Sequence, residues 1–440
     1  MTVVVKKESC RKDAYASRKG DFILRAIRRL AFSCFFSFVT IQAAFSEVPT
    51  SPAWLEAFDA VAEALIQSNQ PPGIAIAIVT PERLVALKTK GVRQLGQEQF
   101  IDEDTIFRVC SLSKCCTSAL IAQLAARGRL DLEAPIGCYL PDVQVSNPVH
   151  TRALKVKHLL AHTTGLPRCS LELEAYRRQS FKMLVKRLKA VNANSTPGKI
   201  HQYQNVLYSL LGPIVERVTQ QRFTTHLRES LLEPLGIHCY ALSEQAYASC
   251  GNMAYPHLRS RCGLLGNHYK VHEPSSYYDN ILPAAGMGFS IKGMATLLQA
   301  FMGGYPTLLD SELLAKCHSP VALVSKGNRG CRKQQCHCRR KITEYYGLGW
   351  RIRHLQNPSY SYHYHGGMVD GYTSWMGFSK EKNIGIVVLM NASKSRLPAI
   401  LGYSFFKMLF DKDHQLTEGC VERYKALVDV TKYSISKAGD

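Results

Sequence analysis

Sequence typical of β-strands lies near both ends of this chain, and sequence typical of helices lies between them. Gly73–Thr80 (GIAIAIVT) and Leu84–Lys90 are rich in strand-forming residues, and the Pro-Glu-Arg turn between them predicts a hairpin. Four further β-like segments follow near the other end: Gly349–His354, Ser361–His365, Tyr372–Ser379 and Ile384–Asn391. Because the stretch between the two groups reads as helices and loops, the simplest assembly is one antiparallel sheet built from both ends.

Helical segments complete the fold prediction. Pro52–Gln67 has helical periodicity and Leu397–Phe410 predicts a closing apolar helix, so both are expected to pack on the sheet. Helical patches between the strand groups occur at Val156–Ala161, Phe181–Val191, Val206–Val218 and Lys292–Phe301. The predicted fold class is α+β/α, an antiparallel sheet flanked by helices plus an inserted, mainly helical region, with a cleft between them as the natural pocket. We expect one domain over residues 47–425, with sheet parts at about 52–107 and 345–412, a helical part at about 108–344, and a tail over 426–440.

The net charge of +21 is concentrated in two segments. Residues 1–46 carry nine Lys or Arg and three Asp or Glu, and Lys326–Lys341 carries seven basic residues and no acidic one. These segments hold +6 and +7 of the excess, which leaves +8 for the rest of the chain. Because that remainder contains no recognisable nucleic-acid-binding module, we expect no nucleic-acid partner.

The N-terminal segment, residues 1–46, has the parts of a secretory signal. Basic residues at positions 25, 28 and 29 precede an apolar run over residues 30–45, and small residues precede a plausible cut before Glu47. This pattern predicts export, either to a periplasm or out of the cell. The alternative is an uncleaved signal that anchors the protein to the inner membrane through residues 30–45. After residue 46 the sequence contains no second candidate for a membrane span.

Fifteen cysteines are many for a chain of 440 residues. Thirteen of them follow the expected cut, an odd number, so at least one would stay unpaired if all the others formed disulfides. Cys110, Cys115 and Cys116 are expected to pack as small hydrophobic residues. The segment Cys331–Cys338 (CRKQQCHC) matches no structural zinc spacing and is interpreted as a basic, solvated loop. We therefore expect neither a metal nor a cofactor.

The segment Ser111-Leu112-Ser113-Lys114 opens a predicted helix over Ser111–Arg127. Three residues along a helix place Ser111 and Lys114 on the same face, one turn apart. A serine hydroxyl is a poor nucleophile until a neighbour takes its proton, and Lys114 can do so if burial or nearby cations lower its pKa. Ser113 would then face another way. By itself this spacing is common in surface helices.

Two later motifs supply the remaining groups that such chemistry needs. Tyr203 can act as a proton shuttle, and the amide of Asn205 can orient Lys114 or a substrate carbonyl. In His365-Gly366-Gly367, the glycines at the end of a strand allow close approach of a ligand. The backbone N–H groups of Met368 and Ser111 would then form an oxyanion hole.

In this order, the three motifs resemble those of the β-lactamase-related serine hydrolases, which include class C β-lactamases, low-molecular-weight penicillin-binding proteins and esterases. The resemblance extends over residues 55–410 through these blocks: Pro72–Ala75, Phe107–Ser111, Leu130–Leu132, Tyr139–Pro141, Leu159–Pro167, Pro234–Gly236, Pro283–Met287, Tyr346–Trp350, His365–Tyr372 and Ile384–Asn391. It implies that Ser111 is the acylated nucleophile, Lys114 its base and Tyr203 the general acid and base. It also implies that Asn205, His365, Gly367 and Met368 bind the substrate, and that His162–Gly165 supports the cleft. Trp350 and Trp375 are expected in the core.

The chain departs from this family at His365-Gly366-Gly367, where class C β-lactamases have Lys-Thr-Gly. That lysine is a fixed positive charge, whereas a histidine is charged only in part near neutral pH, which argues against efficient penicillin hydrolysis. Activity that depends on protonated His365 would fall as the pH rises through the pKa of that group. Three functions remain open: a hydrolase of peptide-like or lactam substrates, a carboxylesterase on the same machinery, and a non-catalytic scaffold. The expected partner is a small-molecule or peptide substrate.

Overall fold

The structure is a computed structural model, and it describes residues 53–260, 268–329, 340–356 and 359–410. The α-helices are α1 (Ala53–Asn69), α2 (Ser113–Ala126), α3 (Pro148–Ala153), α4 (Val156–Leu160), α5 (Glu172–Tyr176), α6 (Phe181–Arg187), α7 (Asn205–Ser209), α8 (Leu211–Thr219), α9 (Phe223–Leu227), α10 (Glu244–Ala248), α11 (Ile291–Phe301), α12 (Ser311–His318) and α13 (Leu397–Phe410). The strands are β1 (Gly73–Val79), β2 (Leu84–Gly91), β3 (Ile106–Arg108), β4 (Tyr240–Ala241), β5 (His257–Ser260), β6 (His268–Val271), β7 (Gly288–Ser290), β8 (Ala322–Arg329), β9 (Arg340–Tyr346), β10 (Arg351–Gln356), β11 (Tyr360–Val369), β12 (Tyr372–Ser379) and β13 (Ile384–Met390).

Strands from both ends of the chain form one eight-stranded antiparallel sheet in the order β2-β1-β13-β12-β11-β10-β9-β8. The junction between the two ends is the β1–β13 pair, which runs from Ile74 opposite Met390 to Val79 opposite Gly385. The predicted fold class is therefore confirmed, and so is the β1–β2 hairpin.

Both faces of the sheet centre are covered, which explains why β1 reads as a continuous apolar run. Its three isoleucines, Ile74, Ile76 and Ile78, join the cluster formed with α1 and α13. The alternate residues Ala75, Ala77 and Val79 join the larger cluster formed with the helical region. Burial of each isoleucine contributes roughly 1.5–3 kcal/mol to folding. As expected, Trp350 and Trp375 are both core residues.

The sheet has two more strands than the sequence predicted. β8 and β9 pair from Ala322 opposite Tyr346 to Arg329 opposite Arg340, with a shift of register between Leu323 and Ser325, and most of this pair lies within the part expected to be helical. Their sequences, ALVSKGNR and RKITEYY, carry too many charged and polar residues to show a clear strand pattern. The inserted region also contains the short sheet β3-β7-β4 and the hairpin β5-β6.

The predicted helix Val206–Val218 is two helices, α7 and α8, which meet at Leu210. Pro213 accounts for the break, because it lacks the N–H that would bond back into the preceding turn.

Several predictions made from the sequence fall on residues that the structure does not describe. These are the signal over 1–46, the Cys331–Cys338 segment and the tail over 426–440, and all three stay predictions. Within the described ranges, no helix combines the length and the apolar character that a membrane crossing needs. The eight described cysteines are free thiols, and Cys110, Cys115 and Cys116 are fully buried, as expected of small hydrophobic residues.

Candidate active site

Ser111 lies in a tight turn between β3 and α2. The turn is a 3-10 helix over Cys110–Leu112, so the α-helix begins at Ser113, two residues later than predicted. Cys110 has a φ of +55°, a left-handed conformation that is uncommon outside glycine and is often found beside functional residues. The turn leaves Ser111 about 9% exposed, at the wall of a cavity of about 220 Å³.

Lys114 lies one turn further along α2 and points back to Ser111. Its Nζ donates to Ser111 Oγ at 3.3 Å, to Asn205 Oδ1 at 2.6 Å and to the Ala284 carbonyl at 2.8 Å. The carbonyl comes from the wide helical turn Leu282–Gly286. An ammonium group has three N–H donors, and all three are used here.

Burial lowers the pKa of Lys114 to about 7, and the positive charge of Arg351 also lowers it, while the carboxylate of Glu172 acts in the opposite direction. Burial has this effect because it penalises the charged form of the amine. A large fraction of Lys114 is therefore neutral near pH 7, and a neutral amine has a lone pair with which to accept the Ser111 proton.

Tyr203 approaches Ser111 from the other side. Its hydroxyl donates to Ser111 Oγ at 2.8 Å, and its ring lies 4.6 Å from Lys114 Nζ. Burial is the main cause that raises the pKa of Tyr203 far above its ordinary value. Tyr203 is therefore a neutral phenol that can give a proton, and Lys114 is the group that can take one.

The loop His162–Gly165 holds the segment that carries Tyr203. His162 contacts Tyr203 with ring centroids 4.2 Å apart, and its backbone carbonyl accepts a hydrogen bond from the Gln202 N–H at 2.7 Å. The N–H of Gln204 donates to His162 Nδ1 at 3.2 Å. This arrangement matches the supporting role expected of the loop.

His365 does not match its expected role as a partly charged group in the cleft. Its side chain is 1% exposed, its Nε2 pairs with the Tyr346 hydroxyl at 2.9 Å, and it is absent from the cavity wall. Burial, reinforced by the charges of Arg351 and Lys114, holds the pKa of His365 well below 6.5. His365 is thus neutral at physiological pH, which argues against a loss of activity through its titration near neutral pH.

Gly367 allows β11 to pass directly beside Ser111. A Cβ at this position would lie 2.4 Å from Ser374 Oγ, 2.6 Å from Cys110 Cβ and 2.9 Å from the Ser111 backbone nitrogen. The next residue, Met368, is 60% exposed and lines the cavity. Beyond Tyr364, β11 pairs with β12 but no longer with β10, so one edge of its last residues is open beside the serine.

Ser113 faces the interior, as predicted. It is fully buried, donates to the Cys110 carbonyl at 2.7 Å and accepts from the Met287 N–H at 3.2 Å. Of the two serines in the motif, only Ser111 lies at the cavity.

Two charged residues of the site were missed in the sequence. The guanidinium carbon of Arg351 lies 5.8 Å from the centroid of the Tyr203 ring. Glu172 accepts a hydrogen bond from the Asn205 amide, whose oxygen holds Lys114. Neither residue belongs to a recognisable motif, since one is a single arginine at the start of a strand and the other opens a helix of five residues.

No group of three or more His, Cys, Asp or Glu within the described residues is arranged to hold a metal ion. The groups that contact Ser111 Oγ are an amine and a phenol, and the Asn205 amide binds the amine.

The family model described as Beta-lactamase matches residues 58–402. Among curated proteins, Protein flp of Staphylococcus aureus (strain COL) is 22% identical over 371 residues, which cover 83% of this chain and 69% of flp. Penicillin-binding protein 4 of Amycolatopsis lactamdurans is 30% identical over 235 residues, which cover 53% of this chain and 58% of that protein.

Solved structures with the same fold include an octameric penicillin-binding protein homologue from Pyrococcus abyssi, with a TM-score of 0.68 and 22% identity. That match covers 82% of this chain and 78% of the other. A mutant class C β-lactamase matches with a TM-score of 0.63 and 19% identity, over 82% of this chain and 99% of its own. At these identities the structural matches establish the fold.

Proposed function

The chain belongs to the beta-lactamase family, whose fold is that of serine hydrolases, and we propose that it hydrolyses amide or ester bonds through an acyl-enzyme on Ser111. The observation that supports this most is the convergence of two different proton carriers on one oxygen. The Tyr203 hydroxyl lies 2.8 Å and Lys114 Nζ lies 3.3 Å from Ser111 Oγ. A structural serine has no need of both groups.

In the proposed acylation, neutral Lys114 takes the proton of Ser111 as Oγ attacks the substrate carbonyl carbon. The negative charge that develops on the carbonyl oxygen is stabilised by the backbone N–H groups of Ser111 and Met368. Tyr203 gives its proton to the leaving group and recovers one from Lys114, so the serine proton ends on the leaving group. A water molecule then attacks the acyl-enzyme, the same proton transfers run in reverse order, and the acyl group leaves as a carboxylic acid.

A carboxylesterase is the second candidate function, and the neutral state of His365 favours it. Family members with Lys-Thr-Gly have a fixed cation on this strand for a substrate carboxylate, whereas this strand has none at that position. Neutral esters do not need that charge.

Turnover of two substrates tests the proposal. The wild type, Ser111→Ala and the control Ser113→Ala are each given a chromogenic cephalosporin and a short-chain p-nitrophenyl ester. We expect the wild type and Ser113→Ala to turn over the ester faster than the cephalosporin, and Ser111→Ala to turn over neither. Equal activity of wild type and Ser111→Ala on both substrates would instead support the non-catalytic scaffold.

A further inference from the structure

A carboxylate stands in the wall of the cavity that contains Ser111. Glu172 Oε1 accepts hydrogen bonds from the Asn205 amide and, at 3.3 Å, from the Tyr277 hydroxyl. Its other oxygen, Oε2, is buried and has no hydrogen-bond partner among the described residues. The negative charge of this carboxylate is therefore only partly compensated by hydrogen bonds, so a cation placed at the cavity wall is favoured by its charge.

Two aromatic rings flank the same part of the cavity. Tyr176 and Tyr277 both line it, with ring centroids 4.9 Å apart and ring planes at 42°. The face of a tyrosine ring attracts cations within about 6 Å of its centroid. A carboxylate beside two such rings combines the features that recognise an ammonium group.

The other charges at the cavity do not cancel this negative wall. Asp370 and Lys394 also line it; burial raises the pKa of Asp370, and the charge of Lys394 acts in the opposite direction. The opposite charges of these two groups offset each other, so Glu172 supplies the remaining negative charge of the cavity lining. Two basic groups lie near this wall: Lys114, whose pKa of about 7 leaves about half of the molecules neutral at pH 7, and Arg351, whose guanidinium lies over the Tyr203 ring.

We propose that this wall selects substrates whose acyl group carries an ammonium group a few bonds from the reacting carbonyl; the inference rests on the proposed acyl-enzyme function and names its substrate class. Glu172, Ser111 and Met368 line the same cavity, whereas Tyr203, the proposed proton donor to the leaving group, does not line it. The ammonium therefore belongs to the acyl part. The cavity of about 220 Å³ is below the usual range of about 300–1,000 Å³ for ligand pockets, so the acyl chain is short.

The test uses two p-nitrophenyl esters of nearly identical shape. One has a 4-(trimethylammonio)butanoyl acyl group, and the other has its neutral isostere, 5,5-dimethylhexanoyl. We expect the wild type to prefer the cationic ester by about tenfold in kcat/KM. Glu172→Gln keeps the shape and an oxygen acceptor but loses the charge, so we expect the ratio to fall to about two, the part that the tyrosine rings supply, whatever happens to the absolute rates.

A second variant and a matched control keep the outcome clear. Tyr176→Leu removes one aromatic wall without touching Asn205, and it should lower the ratio in part. Glu174→Gln lies on the same helix but pairs with Arg187 away from the cavity, so its ratio should equal that of the wild type. A wild type that needs Ser111 for ester turnover but shows no cationic preference overturns the inference and leaves the proposed function standing. Ester turnover equal in wild type and Ser111→Ala overturns both.

Discussion

The pKa of Lys114 should set how the reaction depends on pH. Burial and the charge of Arg351 lower this pKa from the ordinary 10.5 to about 7. At about 1.4 kcal/mol per pH unit, the protein disfavours the ammonium form by roughly 5 kcal/mol. An ordinary lysine is neutral in only about one molecule in 3,000 at pH 7, whereas here about half of the molecules carry a neutral amine. The fold therefore increases the fraction of lysine that is neutral at pH 7 about a thousandfold.

The sign of the pH effect follows from the role of the amine. Because only neutral Lys114 can accept the Ser111 proton, the rate of acylation should rise about tenfold per pH unit below pH 7 and level off above it. Lys114→Arg keeps a positive charge at every accessible pH, since the pKa of arginine exceeds 12. We expect that variant to lose at least about a thousandfold of the acylation rate at all pH values.

The assay is the initial burst of p-nitrophenol from a short-chain ester, followed between pH 5 and 9. Lys182→Arg is the matched control, because Lys182 is an exposed residue of α6 and lies outside the cavity. It should keep the wild-type profile. A wild-type burst rate that still rises about tenfold between pH 8 and pH 9, or a wild-type burst in Lys114→Arg, would refute this reasoning.

Three further predictions use the same assay. Tyr203→Phe removes only the hydroxyl that donates to Ser111 at 2.8 Å, and turnover should fall by about 10²–10⁴. Gly367→Ala places a methyl group 2.4 Å from a neighbouring side-chain oxygen and should abolish turnover, while Gly366→Ala, whose nearest neighbour is 3.6 Å away, should retain it. Arg351→Gln should move the pH midpoint upward by a fraction of a pH unit, since burial is the larger cause of the low Lys114 pKa; an unmoved midpoint would remove Arg351 from this account.

The parts of the fold that the sequence predicted are those with a strong periodic signal. β12 (Tyr372–Ser379) and α13 (Leu397–Phe410) have the predicted bounds, because an apolar strand and an apolar helix are bordered by clear turn residues. β8 and β9 were missed because β8 is the edge strand and β9 is next to it, and polar residues that are tolerated there obscure the alternation that marks a strand.

The geometry of the site was predictable where it depends on local spacing. Lys114 is three positions after Ser111, and the geometry of a helical turn brings the two side chains together. The charge state of His365 was not predictable, because it depends on burial by Tyr346 and Arg351, which come from other strands. Glu172 was missed for the same reason, since a tertiary contact with Asn205 places it at the cavity.

Trapping of the acyl-enzyme tests the central claim most directly. The wild type is treated with a fluorophosphonate that mimics the acylation step, and the labelled site is found by mass spectrometry of the intact protein and of its peptides. We predict one adduct per molecule, on Ser111, with none in Ser111→Ala and full labelling in Ser113→Ala. An unlabelled wild type, or an adduct that persists in Ser111→Ala, would contradict the assignment of Ser111 as the nucleophile.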